Sequence, residues 1–176
     1  HATATDTGGL SLQTGSDIIK TPPLSLYGEH QIQNAALALM ALKASRLVTD
    51  IAAAAEGAGQ AKWPARVQKL KDGHLTQLAG RTIWLDGAHN VHGAKALVAS
   101  LASLYPHKWT IIFGALNTRP ADEFLSLVKP VADRIYCLTV PYQPAALEAD
   151  TLVGRARSLG LNADAVDDVS SACKAI

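Results

Sequence analysis

Cysteine is scarce in this 176-residue chain, and the two present, Cys137 and Cys173, stand thirty-six positions apart with no partner spacing for zinc or a redox pair. That excludes a disulfide scaffold and a zinc module and leaves a reduced, cytoplasmic protein as the expectation. Aromatic residues make up only 5% of the chain and charged residues 18%. Sixteen Lys and Arg against fifteen Asp and Glu leave no cationic excess to hold a phosphate backbone, so nucleic acid is not an expected partner. Apolar stretches such as residues 51–55 and 109–113 fall far short of the roughly 20 residues that cross a bilayer, and no membrane span is expected. The opening His1-Ala2-Thr3-Ala4-Thr5 lacks the basic region and apolar core of a secretory signal. With no initiator methionine at position 1, the expectation is a piece of a longer polypeptide, truncated at both ends. What is plentiful is apolar surface: 48% hydrophobic residues suffice for a real core.

Residues 2–21 are rich in Thr, Gly and Ser, with strand-like runs at 10–13 and 17–20. The segment is too short to bury a sheet face by itself. Beyond Pro22-Pro23, apolar residues at Ile32, Ala35, Ala36, Leu39, Met40 and Leu42 follow a 3.6-residue period and predict a helix over 29–46. Thr49-Asp50 can cap a short helix over 52–56, which Gly57-Ala58-Gly59 ends. Trp63-Pro64 breaks the pattern and marks a hinge or domain boundary at 61–64.

Strands and helices then alternate. Strands are predicted at 81–85, 109–113 and 135–140, and helices at 93–104, 121–131, 145–158 and 168–175. That order implies parallel strands joined by helical crossovers, a Rossmann-like α/β domain. In such sheets ligands bind beyond the carboxyl ends of the strands. Those ends carry Asp86-Gly87-Ala88-His89-Asn90, Gly114-Ala115-Leu116-Asn117 and Pro141-Tyr142.

Three clusters have the chemistry for a nucleotide. Asp86 at a strand end can accept hydrogen bonds from a ribose diol, and His89 can meet an anion at the mouth of the following helix. The plainer alternative is that Asp86 caps the turn and His89 is solvated. His30 and Asn34, four apart, share one helix face, and an Asn amide offers the donor and acceptor that an adenine edge needs. Equally, His30 can be a helix-start residue with a local hydrogen bond. Arg66 follows a rigid Trp63-Pro64 turn, and a guanidinium forks well onto phosphate, although an Arg in this setting can also be a plain surface cation.

Other motifs fail. Gly87 to Gly93 followed by Ala94-Lys95 has the wrong spacing for a P-loop, Gly57-Ala58-Gly59 follows a helix rather than a strand, and no nucleophile elbow exists. Asp86, His89 and His92 lack a further strong ligand, so no metal site is expected among these residues.

Taken in order, three runs resemble one family: Leu26-Tyr27-Gly28-Glu29-His30-Gln31-Ile32-Gln33-Asn34-Ala35-Ala36-Leu37-Ala38, Trp63-Pro64-Ala65-Arg66-Val67-Gln68 and Leu85-Asp86-Gly87-Ala88-His89-Asn90. They are similar to the folylpolyglutamate synthase and dihydrofolate synthase enzymes of the Mur-ligase superfamily. Phe113-Gly114-Ala115-Leu116-Asn117 resembles the strand and loop that follow in the same proteins. The resemblance covers residues 24–141.

The resemblance implies that residues 1–62 are the tail end of a P-loop ATPase domain and residues 63–176 a Rossmann-like ligase domain. It implies ATP-dependent amide formation, in which a carboxylate of dihydropteroate or folate is phosphorylated with magnesium and the amine of L-glutamate attacks the acyl phosphate. A carboxylate resists an amine until its oxygen becomes a leaving group, and phosphoryl transfer needs cations around the developing charge. By the same resemblance Asn34 sits at adenine with His30 near it, Arg66 on the ATP phosphates and Asp86 at the ribose. His89 stands beside the phosphates and the glutamate site. The implied P-loop, modified lysine and magnesium ligands lie outside this chain. The implied whole is a cytoplasmic monomer, and the fragment alone is inactive. One departure matters: the family often has Pro-Gly-Arg where this chain has Pro64-Ala65-Arg66, so a positive φ there would be strained. The alternatives are a peptidoglycan Mur ligase, or a non-catalytic α/β module that binds another subunit.

Overall fold

A computed structural model describes residues 1–176, which divide into two compact units, His1–Gln68 and Lys69–Ile176. The boundary falls six residues beyond the 62/63 division inferred from the sequence.

In the first unit β1 (Ala2–Ala4), β2 (Leu10–Thr14) and β3 (Asp17–Lys20) form an antiparallel sheet in the order β1-β2-β3. Two helices follow, α1 (Glu29–Ser45) and α2 (Ile51–Ala58). Leu10, Leu12 and Ile19 are buried together with Ala36 and Leu39 of α1 and Ala55 of α2. The short sheet therefore does bury a face, because the two helices that follow it cover it. Gly28 starts α1 at φ 113°, a backbone that side chains rarely adopt. Asp50 caps α2 as expected, its Oδ1 accepting from Ala52 N at 2.9 Å and Ala53 N at 3.0 Å. The helix extends two residues past Glu56, to Ala58.

The strand β4 (Gln68–Lys69) lies at the division between units. In chain order α3 (His74–Ala79), β5 (Trp84–Leu85), α4 (Val91–Leu104), β6 (Trp109–Phe113), α5 (Ala121–Val128), β7 (Ala132–Cys137), α6 (Ala149–Ser158), β8 (Ala163–Ala165) and α7 (Val169–Ala175) follow. The parallel sheet has the order β6-β7-β8, with α5 and α6 as its crossovers. The chain is thus α/β with a parallel Rossmann-like sheet, as expected.

Four of the differences from the expected bounds have a clear local reason. Residues 81–85 do not join the parallel sheet: β5 is two residues long and pairs with β4, and Leu70 N donates to Ile83 O at 2.9 Å. The α5 helix stops at Val128 rather than 131, because Pro130 has no amide to continue it. With the helix ended early, β7 begins at Ala132, three residues sooner than expected, in register with Trp109. The α6 helix starts at Ala149 rather than 145, because Ala145 and Ala146 are already engaged with the loop after β6. There Asn117 N donates to Ala145 O at 2.7 Å, and Leu116 bridges Ala146.

The core of the second unit centres on β7. Ile135 and Cys137 are fully buried among Leu125 and Val128 of α5 and Leu152 and Ala156 of α6. Phe113 stacks on Phe124 at 5.0 Å. Both thiols are free and buried. Burial, with the Asp164 carboxylate adding to it, pushes the Cys137 thiol from 9.0 up to about 11.

This shift sets a pH dependence. The folded state keeps its proton to higher pH than the unfolded chain, so ionisation favours unfolding: the contribution of Cys137 to stability is present in full below pH 9 and is lost between 9 and about 11. The urea midpoint should fall more between pH 8 and 10.5 in the natural chain than in Cys137→Ala. Equal falls would show that other groups carry the alkaline loss.

Candidate functional site

Five residues singled out in the sequence fall on three local structures. The first is the amino-terminal turn of α1. Here Gln31, 6% exposed, joins His30 and Asn34: its Nε2 lies 2.8 Å from His30 Nε2, and its Oε1 accepts from Asn34 Nδ2 at 3.0 Å. With the Gln31 oxygen accepting from Asn34, the Gln31 nitrogen faces His30. That nitrogen can only donate, so His30 Nε2 accepts and a neutral ring carries its proton on Nδ1. Gln31 and Asn34 line a cleft of about 260 Å³, otherwise walled by apolar side chains including Leu24, Leu26, Ala35 and Ala58. An apolar slot with a few oriented amides suits a planar heterocycle read along one edge.

The second structure is the turn around Arg66, in the same unit. Ala65 has φ 56° and Val67 φ 44°. The sequence expectation of strain at position 65 is met, and Val67 adds to it, since a β-branched residue in the left-handed region is a genuine outlier. Ala65 N donates to Gln68 Oε1 at 3.0 Å, and Arg66 Nη1 donates to Ala65 O at 3.0 Å. The Arg66 side chain lies at the surface while Val67 is buried.

The third is the loop from β5 to α4 in the second unit. Asp86 Oδ1 accepts from Ala88 N at 2.8 Å, so the aspartate does cap its own turn. His89 Nδ1 lies 2.8 Å from Gly87 O; a carbonyl can only accept, so Nδ1 donates and Nε2 is the ring's acceptor when neutral. Asn90 Oδ1 then caps α4 by accepting from Gly93 N at 2.8 Å. A Cβ on Gly93 would lie 3.2 Å from Ala88 Cβ, so helix and loop touch closely.

The structure therefore brings His30 to Asn34 and Asp86 to His89, with Arg66 in the unit of the first pair. Nowhere do three or more His, Cys, Asp or Glu side chains group to hold a metal ion. Three residues escaped the sequence reading as site components: Gln31, Gln68 and Asn90. Gln31 had a usable signal, since it shares the i, i+4, i+8 stripe with Ala35 and Leu39, where a polar residue is out of place. Asn90 stands just before an apolar helix, the normal place for a cap.

The family described as "Mur ligase, glutamate ligase domain" matches residues 65–176. The chain belongs to this family. It is 28% identical over 149 residues to the dihydrofolate synthase/folylpolyglutamate synthase of Mycobacterium tuberculosis, covering 81% of this chain and 29% of the relative. Its counterpart of the same description in Bacillus subtilis is 27% identical over 131 residues, covering 72% and 29%. Among solved structures, M. tuberculosis folylpolyglutamate synthase complexed with ADP superposes with a TM-score of 0.82 at 26% identity, over 99% of this chain and 38% of that one. E. coli FolC in complex with DHPP and ADP gives 0.80 at 25% identity, over 99% and 38%. The chain thus spans roughly a third of the length of these relatives.

In the second unit the Asn90 cap of α4 directly follows the Asp86–His89 loop. Asn90→Ala should lower stability by about 1 kcal/mol, the usual worth of such a cap, read from urea unfolding. No loss would mean that water replaces the cap at no net cost.

Proposed function

We propose that this chain is part of an ATP-dependent ligase of the folylpolyglutamate synthase/dihydrofolate synthase type, which joins L-glutamate to a carboxylate of dihydropteroate or folate. In this reading residues 1–62 end the ATPase domain and residues 63–176 form the ligase domain. The observation that carries it is the buried Gln31 amide, which orients Asn34 at the wall of an apolar cleft. Membership of the glutamate-ligase family and the ADP named with its structural relatives support the same nucleotide.

Asn34 offers an oriented amide to the adenine edge, with His30 held beside it through Gln31. Arg66 supplies a permanent cation for the phosphates. Asp86 offers its carboxylate to the ribose hydroxyls, and His89 presents Nε2 toward phosphate and glutamate as the catalytic candidate. The chemistry requires the γ-phosphoryl group of ATP to pass to the substrate carboxylate, and the glutamate amine then displaces phosphate. Magnesium would neutralise phosphate charge; no donor set for it stands among these residues, and its ligands are assigned to the remainder of the enzyme. Two buried free thiols agree with a cytoplasmic setting, and the enzyme acts as a monomer in this reading.

The test is ATP consumption by the complete enzyme, with dihydropteroate plus glutamate against tetrahydrofolate plus glutamate. Arg66→Ala should cut ligation about 100-fold, the usual cost of removing one charge stabiliser, and Asp86→Ala about tenfold, one charge-assisted hydrogen bond. Both proteins should remain folded by circular dichroism. Unchanged turnover in both would remove the assignment, and glutamate-dependent activity on a nucleotide-linked peptide instead would favour a peptidoglycan ligase.

A further inference from the structure

The turn that carries Arg66 is the most strained backbone in the chain that also bears a candidate functional side chain. Both neighbours of Arg66 are non-glycine residues in the left-handed region, Ala65 at φ 56° and Val67 at φ 44°. A side chain with a Cβ resists that conformation, and a β-branched one resists it more. Such a turn persists only where its surroundings over-determine it. One anchor is the burial of Val67, which is 4% exposed. Another is Gln68, whose Oε1 accepts from Ala65 N at 3.0 Å and closes the turn across Arg66.

We propose that Gln68 is a positioning residue for Arg66: its side-chain carbonyl holds the Ala65 amide and keeps the strained turn from relaxing and swinging the guanidinium away. The proposal rests on the assignment of Arg66 to the ATP phosphates. Three features separate it from a purely structural role. Gln68 is exposed, so its bond adds little to stability. The bond lies at the surface and buries nothing of its own. What it does control is the direction of the residue between its two ends. Relaxing Ala65 toward negative φ would reverse the local chain direction, and a misplacement of about 1 Å at a phosphate is enough to cost activity heavily.

The chemistry of the bond predicts which side chains can serve at position 68. An acceptor must reach back three residues, so glutamate can replace glutamine, leucine has no acceptor, and asparagine falls one methylene short. It also predicts a coupling to position 65. Glycine adopts φ near 56° without opposition, so a glycine there removes most of the need for the tether.

The experiment measures ATP- and glutamate-dependent ligation by the complete enzyme for Gln68→Leu, Gln68→Glu, Ala65→Gly, Arg66→Ala and the Ala65→Gly/Gln68→Leu double variant. Gln68→Leu should lower kcat about tenfold, with the KM for glutamate and the thermal midpoint little changed. Gln68→Glu should stay within about threefold of the natural enzyme, the range of a neutral surface change. The double variant should recover most of the loss, a non-additivity that a residue touching nucleotide directly would not show. If Gln68→Leu does not fold, Gln68→Asn carries the same comparison. Natural turnover in Gln68→Leu, or an equal loss with Ala and with Gly at position 65, overturns the proposal while leaving Arg66 in place. Natural turnover in Arg66→Ala removes the Arg66 assignment, and the proposal with it.

Discussion

A parallel strand buried on both faces has to pair both of its edges and cover both of its sides, and β7 imposes that demand on the whole second unit. Its backbone is paired to β6 along Trp109–Phe113 and to β8 through Ile135, Tyr136 and Cys137. One face is closed by α5 and α6, which supply Leu125, Val128, Leu152 and Ala156 against Ile135 and Cys137, and on the other Tyr136 Oη donates to Ala175 O of α7 at 3.0 Å. Once these are in place little freedom is left at the carboxyl ends of the strands. Leu138 N donates to Phe113 O at 2.9 Å, and Leu147 N to Ala115 O at 2.9 Å, so the loops after β6 and β7 are stitched together. Gly114 is required there, because a Cβ would sit 2.8 Å from Val140 Cγ2. Packing in the core thus decides the shape of the edge where ligands of such sheets bind.

Charged contacts around this core are decoration by comparison. Asp164 meets Arg134 at 3.0 Å and Arg157 at 3.2 Å, but all three side chains are well exposed. Exposed pairs of this kind contribute at most about 1 kcal/mol. Loss of the Ile135 side chain, by contrast, would remove atoms from the centre of a close-packed cluster and leave a cavity.

The first unit follows a different logic, in which polar groups with strict geometry are placed on an otherwise apolar frame. Gln31 is buried at the wall of the cleft that it lines with Ala35 and Leu39, and a buried amide is tolerated only when its donor and acceptor are both used. His30 and Asn34 use them. The same bonds that satisfy Gln31 set the proton on His30 and the orientation of Asn34, so stability of the helix start and readiness for a ligand are one arrangement. At Arg66 the balance is reversed: backbone strain at Ala65 and Val67 is accepted, and the buried Val67 and the Gln68 bond hold it.

The elements legible in the sequence were those with a strong local signal. The apolar period of α1, the Asp50 cap and the β-rich run Trp109–Phe113 all appear where residue order alone puts them. Short pieces escaped: β8 is Ala163-Asp164-Ala165, a run with little intrinsic strand preference that becomes a strand because β7 offers it an edge. Helix α3, six residues between Gly73 and the left-handed Gly80, is likewise too brief to show a period. The residues able to contact a nucleotide could be named from their types and positions, His30, Asn34, Arg66, Asp86 and His89, because carboxylate, amide, imidazole and guanidinium groups carry their chemistry with them. Which atoms of those groups are already committed depended on contacts between turns and side chains that no spacing encodes. The sequence by itself determined the α/β class and the candidate chemistry, since periodicity and functional groups are local properties. Only the tertiary structure decided that Gln31 orients Asn34, that Asp86 caps its own turn and that Gln68 closes a strained one, because each is a hydrogen bond whose geometry exists only after the backbone has folded.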